Sequence, residues 1–153
     1  MKKYSFTGET KVEFGVTLKQ IRANISFGCA VKGELGGWIE KEANLNPFGN
    51  AWVFRDAQVS GDARVSGNAQ VSGNAQVSGD AWTITPLSIS ATKVSVSVSS
   101  KTIISIGCER HTVAVWEKDG EAIGEKHGFT ETEIAEYRLY ITACKKWMKI
   151  YCK

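Results

Sequence analysis

Residues 49–84 read GNAWVF RDAQVS GDARVS GNAQVS GNAQVS GDAWTI, one six-residue phrase repeated without a gap. Most phrases run Gly, then Asp or Asn, then Ala, a variable residue, Val and Ser. Ala51, Ala57, Ala63, Ala69, Ala75 and Ala81 keep one column, and Val53, Val59, Val65, Val71 and Val77 keep another, with Thr83 in its last slot. A repeat this regular decides the architecture before any other signal. An α-helix would scatter residues six apart onto different faces and place a glycine in every second turn, at about 1 kcal/mol each. Hairpin meanders need strands of about 5–6 residues besides their turns. A triangular solenoid fits: one flat side and one corner per hexad, three hexads per coil. Ala and Val stand two apart, so both point inward. The Gly-Asp and Gly-Asn pairs supply corners, where left-handed dihedrals are needed.

A looser version runs upstream. Gly37-Trp38-Ile39 and Ala43-Asn44-Leu45 keep the frame if Pro47-Phe48 is a two-residue insertion. The chain therefore divides into an N-terminal cap (1–34), a solenoid (35–84) and a C-terminal module (85–153). The repeat resembles the hexapeptide left-handed β-helix superfamily, which includes acyltransferases and γ-class carbonic anhydrases. Three stretches also resemble small proteins from phages and prophages: Lys32–Glu40 (KGELGGWIE), Gly49–Val53 (GNAWV), and Gly107–Thr112 (GCERHT) with its helical tail. The resemblance implies a mainly β fold: a short left-handed parallel β-helix, capped N-terminally and followed by an α+β module. It also implies a phage-type origin and self-association, as a trimer or dimer.

In the N-terminal cap, Tyr4/Phe6 and Val12/Phe14 alternate around Gly8-Glu9-Thr10, which predicts a hairpin turning there. Leu18, Ile21 and Ile25 follow at helical spacing, so a hairpin and a helix should close the open end of the solenoid. After Pro86 the period changes to two, at Val94, Val96, Val98 and then Ile104, Ile106, which predicts a second hairpin. Two helices should follow. The first starts near Thr112 with Val113, Trp116, Gly120 and Ile123 on one face. Thr130 and Glu133 form a capping box for the second, and Phe129 and Ile134 are placed as a hydrophobic staple. Its apolar stripe is Ile134, Tyr137, Ile141, Cys144, Trp147 and Tyr151.

Nothing in the composition points to membrane or nucleic acid. No stretch approaches the ~20 apolar residues of a membrane span, and the two lysines near the N-terminus precede no apolar run, so a cytoplasmic protein of a bacterial host is expected. The net charge of +3 comes from 19 Lys/Arg against 16 Asp/Glu spread along the chain, with no basic stripe for general nucleic-acid binding. Lys145, Lys146, Lys149 and Lys153 gather at the end of the second helix, where cations favour its dipole. Cys29, Cys108, Cys144 and Cys152 form no C-x-x-C pair and are expected to be reduced, mostly buried thiols. Cys108-x-x-His111 is the one metal-like spacing, with Cys144, Cys152 and His127 as distant candidates. A zinc site wants two close ligand pairs, so no metal and no cofactor are expected.

Catalysis finds no support either. The β-helix enzymes present histidines from their coils, whereas His111 and His127 both lie in the C-terminal module. Ser60, Ser66, Ser72 and Ser78 form an outward ladder without a basic partner. What remains is surface. The residues between Ala and Val point outward, and sorting them by coil puts Trp38, Gln58 and Gln76 on one side. Asn44, Arg64 and Trp82 share the second, and Trp52 lies over Gln70 on the third beside Phe54. Trp38, Trp52, Phe54, Arg64, Gln70 and Trp82 are therefore the candidate binding residues, unless a flanking module folds over them. The expected function is stoichiometric binding without catalysis. One class is an inhibitor of a host protein or complex, such as an anti-defence (anti-CRISPR) protein. Others are a nucleotide or small-ligand sponge with pockets between protomers, a degenerate acyltransferase-like protein, or a structural phage component.

Overall fold

A computed structural model describes residues 1–153. The N-terminal strands β1 (Tyr4–Glu13) and β2 (Val16–Ala23) form an antiparallel hairpin, and β3 (Leu35–Ile39) begins the coils. The coils then run through β4 (Trp52–Val53), β5 (Gln58–Val59), β6 (Arg64–Val65), β7 (Gln70–Val71), β8 (Gln76–Val77) and β9 (Ala81–Trp82). Pairing between coils is parallel: Gln58 meets Gln76 and Trp52 meets Gln70, both 18 residues on. Trp38 meets Gln58 and Leu45 meets Val65, both 20 residues on, which is the 18-residue step plus the Pro47-Phe48 insertion. Three sides are thus stacked, and the sorting of the first and third sides agrees with the sequence.

The interior is the Ala and Val columns. Ala51 to Ala75 and Val53 to Val77 are all 2% exposed or less, and each Val contributes about 1.5–3 kcal/mol of transfer free energy. Gly61, Gly67 and Gly73 turn the corners at φ 59–64°. Asn44 is buried below, donating to the Gly61 and Ala63 carbonyls at 3.1 and 2.8 Å and accepting from the Lys41 amide at 2.8 Å.

The column breaks at the last hexad. β9 pairs with β6 as Arg64 with Ala81 and Val65 with Trp82, a step of 17 residues rather than 18. The left-handed residue moves from the glycine to Asp80, at φ 68°. One residue fewer flips every side chain to the other face. Ala81 and Thr83, expected inside, are exposed, and Trp82, expected outside, is buried in the valine position.

The N-terminal hairpin departs from expectation in two ways. Its turn lies at Phe14-Gly15, both with positive φ, as a two-residue hairpin turn requires. Gly8 sits instead in a bulge inside β1, at φ 99°. No helix follows: Leu18 and Ile21 belong to β2, and a register shift between Gln20 and Arg22 against β3 gives a strand the spacing of a helix. β2 pairs antiparallel with β3, so the hairpin covers the edge of the first side in a mixed sheet ordered β1-β2-β3-β5-β8.

At the other end β10 (Ser88–Ile89), β11 (Val96–Val98), β12 (Ile103–Ile106) and β13 (Glu109–Thr112) make an antiparallel sheet. The Ser78 and Gly79 amides donate to the Ser99 carbonyl, and the Gln76 amide to Ser97 Oγ, so this sheet seats directly on the last coil. Helices α1 (Val113–Lys126) and α2 (Glu131–Tyr151) pack on it, with Thr112 and Thr130 as N-caps and the Thr130/Glu133 capping box formed. One continuous core of 27 buried residues joins all three parts. No helix is long and apolar enough to cross a membrane.

Candidate functional site

The six solenoid candidates do not form one surface. Trp52 is fully buried: Phe27 from the N-terminal module meets its ring edge-on at 5.2 Å, and its Nε1 has no hydrogen-bond partner. Trp82 is buried too, with Nε1 donating to the Gly79 carbonyl at 2.8 Å and its ring stacked 6.1 Å from Trp147 of α2. The N-terminal module therefore covers Trp52, whereas Trp82 is turned into the core by the slip and meets α2 there. Trp38 is half-buried under Lys11 Nζ, 4.6 Å from its ring centre. Phe54 and Gln70 are also half-buried, Gln70 with its Nε2 3.4 Å from Cys29 Sγ, and Arg64 alone is exposed. A free Trp52/Phe54 patch, the motive for a self-associating face, is absent from this arrangement.

The concave feature lies in the C-terminal module. A cleft of about 530 Å³ opens between α1, α2 and the sheet. Its apolar floor includes Ile106, Trp116, Ile123, Phe129 and Ile141, and Tyr137 closes one wall. Tyr137 Oη fixes the loop before β11, donating to the Val94 carbonyl at 2.6 Å and accepting from the Val94 amide at 2.7 Å. Trp116 is anchored by Nε1, which donates to the Ile104 carbonyl at 2.8 Å. Two ion pairs bridge the helices, Arg138 to Glu121 at 2.7 Å and Lys145 to Glu117 at 2.6 Å. The lining carries Lys93, Lys118 and Arg138 against Glu109, Glu117 and Glu121, a balanced set.

Gly120 lines the cleft. It lies inside α1, where glycine costs about 1 kcal/mol relative to alanine. A Cβ there would meet only the Trp116 ring, at an ordinary 3.7 Å. Gly124, one turn on, is different, because a Cβ would crowd Ile134 at 3.1 Å. Close packing accounts for Gly124; at Gly120 it does not.

The cleft lining includes Glu109 and His127, and Glu109 also engages the second histidine of the chain, His111. Glu109 accepts from His127 Nε2 at 2.9 Å through one oxygen and from His111 Nε2 at 2.7 Å through the other. The bonds from His127 and then His111 hold the Glu109 carboxyl below the usual carboxylate range. His111 also lies edge-on to Trp116 at 5.1 Å. Cys108 is exposed beside them, and one donor atom each from Cys108, Glu109 and His127 lie within 4.8 Å of one another. Cys144, by contrast, is buried, its thiol pushed up to about 11 by desolvation. Cys152 lies near Lys101 and Asp80, toward the last coil. Of the Cys108-x-x-His111 pair, Cys108 belongs to this cluster and His111 bonds to Glu109 from outside it, and the spacing did not point to Glu109 between them. On a strand Glu109 and His111 share a face, and that was the available signal.

The stacked coils define a β-solenoid repeat protein. The repeat described as YdcK beta solenoid repeat matches residues 57–73 and 69–83, within the coils. No curated protein matches the chain.

Proposed function

We propose that the protein is a binding protein without catalytic turnover, and that the C-terminal cleft takes a small ligand with an apolar body. Gly120 carries this reading: an unfavoured residue inside a helix keeps space open where no neighbour needs it. The cleft volume falls within the ~300–1,000 Å³ usual for small-molecule sites. The balanced lining charges disfavour a nucleotide polyphosphate. Glu109 engages both histidines, which supports binding over general-base work. The hexad pattern supports left-handed coils of the hexapeptide type, and the resemblance supports a phage-type protein of the host cytoplasm. Self-association as a trimer or dimer rests on that resemblance alone.

Leu139 and Ile150 favour a second reading. They are 69% and 63% exposed, and their spacing of three helical turns puts them on one outer stripe of α2. A host protein docking on that stripe would fit the inhibitor class.

A test of the cleft uses an anilinonaphthalene sulfonate dye as probe. The protein should bind one dye per chain saturably, and Gly120→Leu should abolish binding while melting at or above the wild-type temperature, since it improves helix propensity. Unchanged dye binding in a folded Gly120→Leu would refute the cleft as the site.

A further inference from the structure

We propose that Cys108, Glu109 and His127 form a binding site for a zinc-type divalent metal ion at the mouth of the cleft. Thiolate, carboxylate and imidazole are all zinc ligands. These three come from two elements, the turn into β13 and the C-cap of α1. A four-coordinate ion with bonds of about 2.0–2.3 Å holds its ligands roughly 3.3–3.8 Å apart. Donors already within 4.8 Å need only small side-chain rotations to reach that spacing, with the ion displacing the proton shared by His127 Nε2 and Glu109 and the proton of the Cys108 thiol, both released to solvent. The second Glu109 oxygen keeps its bond from His111, so a non-ligand histidine orients the ligating carboxylate, the arrangement that commonly supports metal ligands.

The end of α1 also favours a cation here: its last carbonyls end at His127, where the helix dipole is negative. Three protein ligands leave a fourth position, and all three line the cleft, so an exchangeable ligand can complete the shell from inside it. The ion would also tie the end of α1 to the β12–β13 turn.

The test titrates the full chain with Co(II) under reducing conditions. The expected result is one equivalent bound, with a thiolate-to-metal charge-transfer band and the intense visible bands of a four-coordinate ion, both displaced by Zn(II). Cys108→Ser should abolish the charge-transfer band. His127→Ala should weaken binding at least tenfold, and His111→Gln by about tenfold to a hundredfold as a positioning residue. Cys29→Ser, at an exposed thiol of the N-terminal module, should bind as wild type. Gly120→Leu should bind Co(II) unchanged, which separates failure of the metal site from failure of the cleft. Absence of saturable Co(II) binding, or a charge-transfer band that survives Cys108→Ser, overturns the proposal.

Discussion

The one-residue slip at the end of the solenoid makes opposite demands on neighbouring residues, and a paired substitution tests it. Trp82→Ala should cost about 3–5 kcal/mol, the range for a buried aromatic truncated to alanine. The structure gives the reasons: Trp82 is 2% exposed, occupies the position of a core valine, and stacks on Trp147. Its bond to the Gly79 carbonyl contributes about 0.5–1.5 kcal/mol of that total. Ala81→Glu should stay within about 0.5 kcal/mol, because Ala81 is exposed. The equivalent change one hexad earlier, Ala75→Glu, would bury a carboxylate among the valines and unfold the coils. Urea denaturation followed by far-UV circular dichroism gives all three values, provided the m-value is unchanged. At roughly 2–4 °C per kcal/mol for a chain near this size, Trp82→Ala should lower Tm by about 6–20 °C. The uninterrupted hexad frame requires the reverse, a mild Trp82→Ala and a damaging Ala81→Glu, and that pattern would refute the slip.

Gly36→Ala should cost about 1–3 kcal/mol by overpacking alone, since its Cβ would lie 2.5 Å from the Trp52 ring and 2.7 Å from Ile21; a melting temperature equal to wild type would contradict the seating of Trp52. Lys3 should give a pH signature. It is buried with Nζ donating to the Ala51 carbonyl at 2.6 Å and the Phe48 carbonyl at 3.1 Å, and desolvation lowers its pKa from 10.5 to about 8. Between pH 8 and 10.5 the unfolded chain holds a proton that the folded chain has shed, so stability gains from Lys3 as pH rises, with the full penalty present below pH 8. Cys144 and Tyr4, pushed up to about 11 and 12, act in the opposite sense at high pH, so the readout is wild type minus Lys3→Met in urea melts. A difference flat across that window would rule the buried amine out.

What was legible in the sequence was whatever repeats or caps locally. The inward Ala and Val columns, the Pro47-Phe48 insertion and the Thr130/Glu133 box each follow from spacing within one element. The failures came where a single residue changes phase. A bulge near Ile21 made a strand look helical, and the shortened corner at Asp80 turned Trp82 from surface to core. Trp52 kept its outward direction yet is covered, because Phe27, which meets its ring edge-on, lies in a segment with no periodicity of its own. The candidate site was legible as the Cys108/His111 pair, with His127 named only as a distant candidate beside Cys144 and Cys152. His127 joins Glu109 across α1, and no local pattern records that return.

The 18-residue coil also acts as an indexing screw between the two ends of the molecule. At the tip of the β1–β2 hairpin Phe14 lies 5.4 Å from the Arg110 guanidinium of β13, so the N-terminal module reaches the strand that carries Glu109. Inserting three hexads would raise the C-terminal module by one strand spacing, about 4.8 Å, and keep its azimuth. Inserting one or two would swing it by a third or two-thirds of a revolution and carry Arg110 to another side of the prism. The identical GNAQVS phrases at 67–72 and 73–78 are where such copying is simplest, yet only multiples of three keep the two ends in phase.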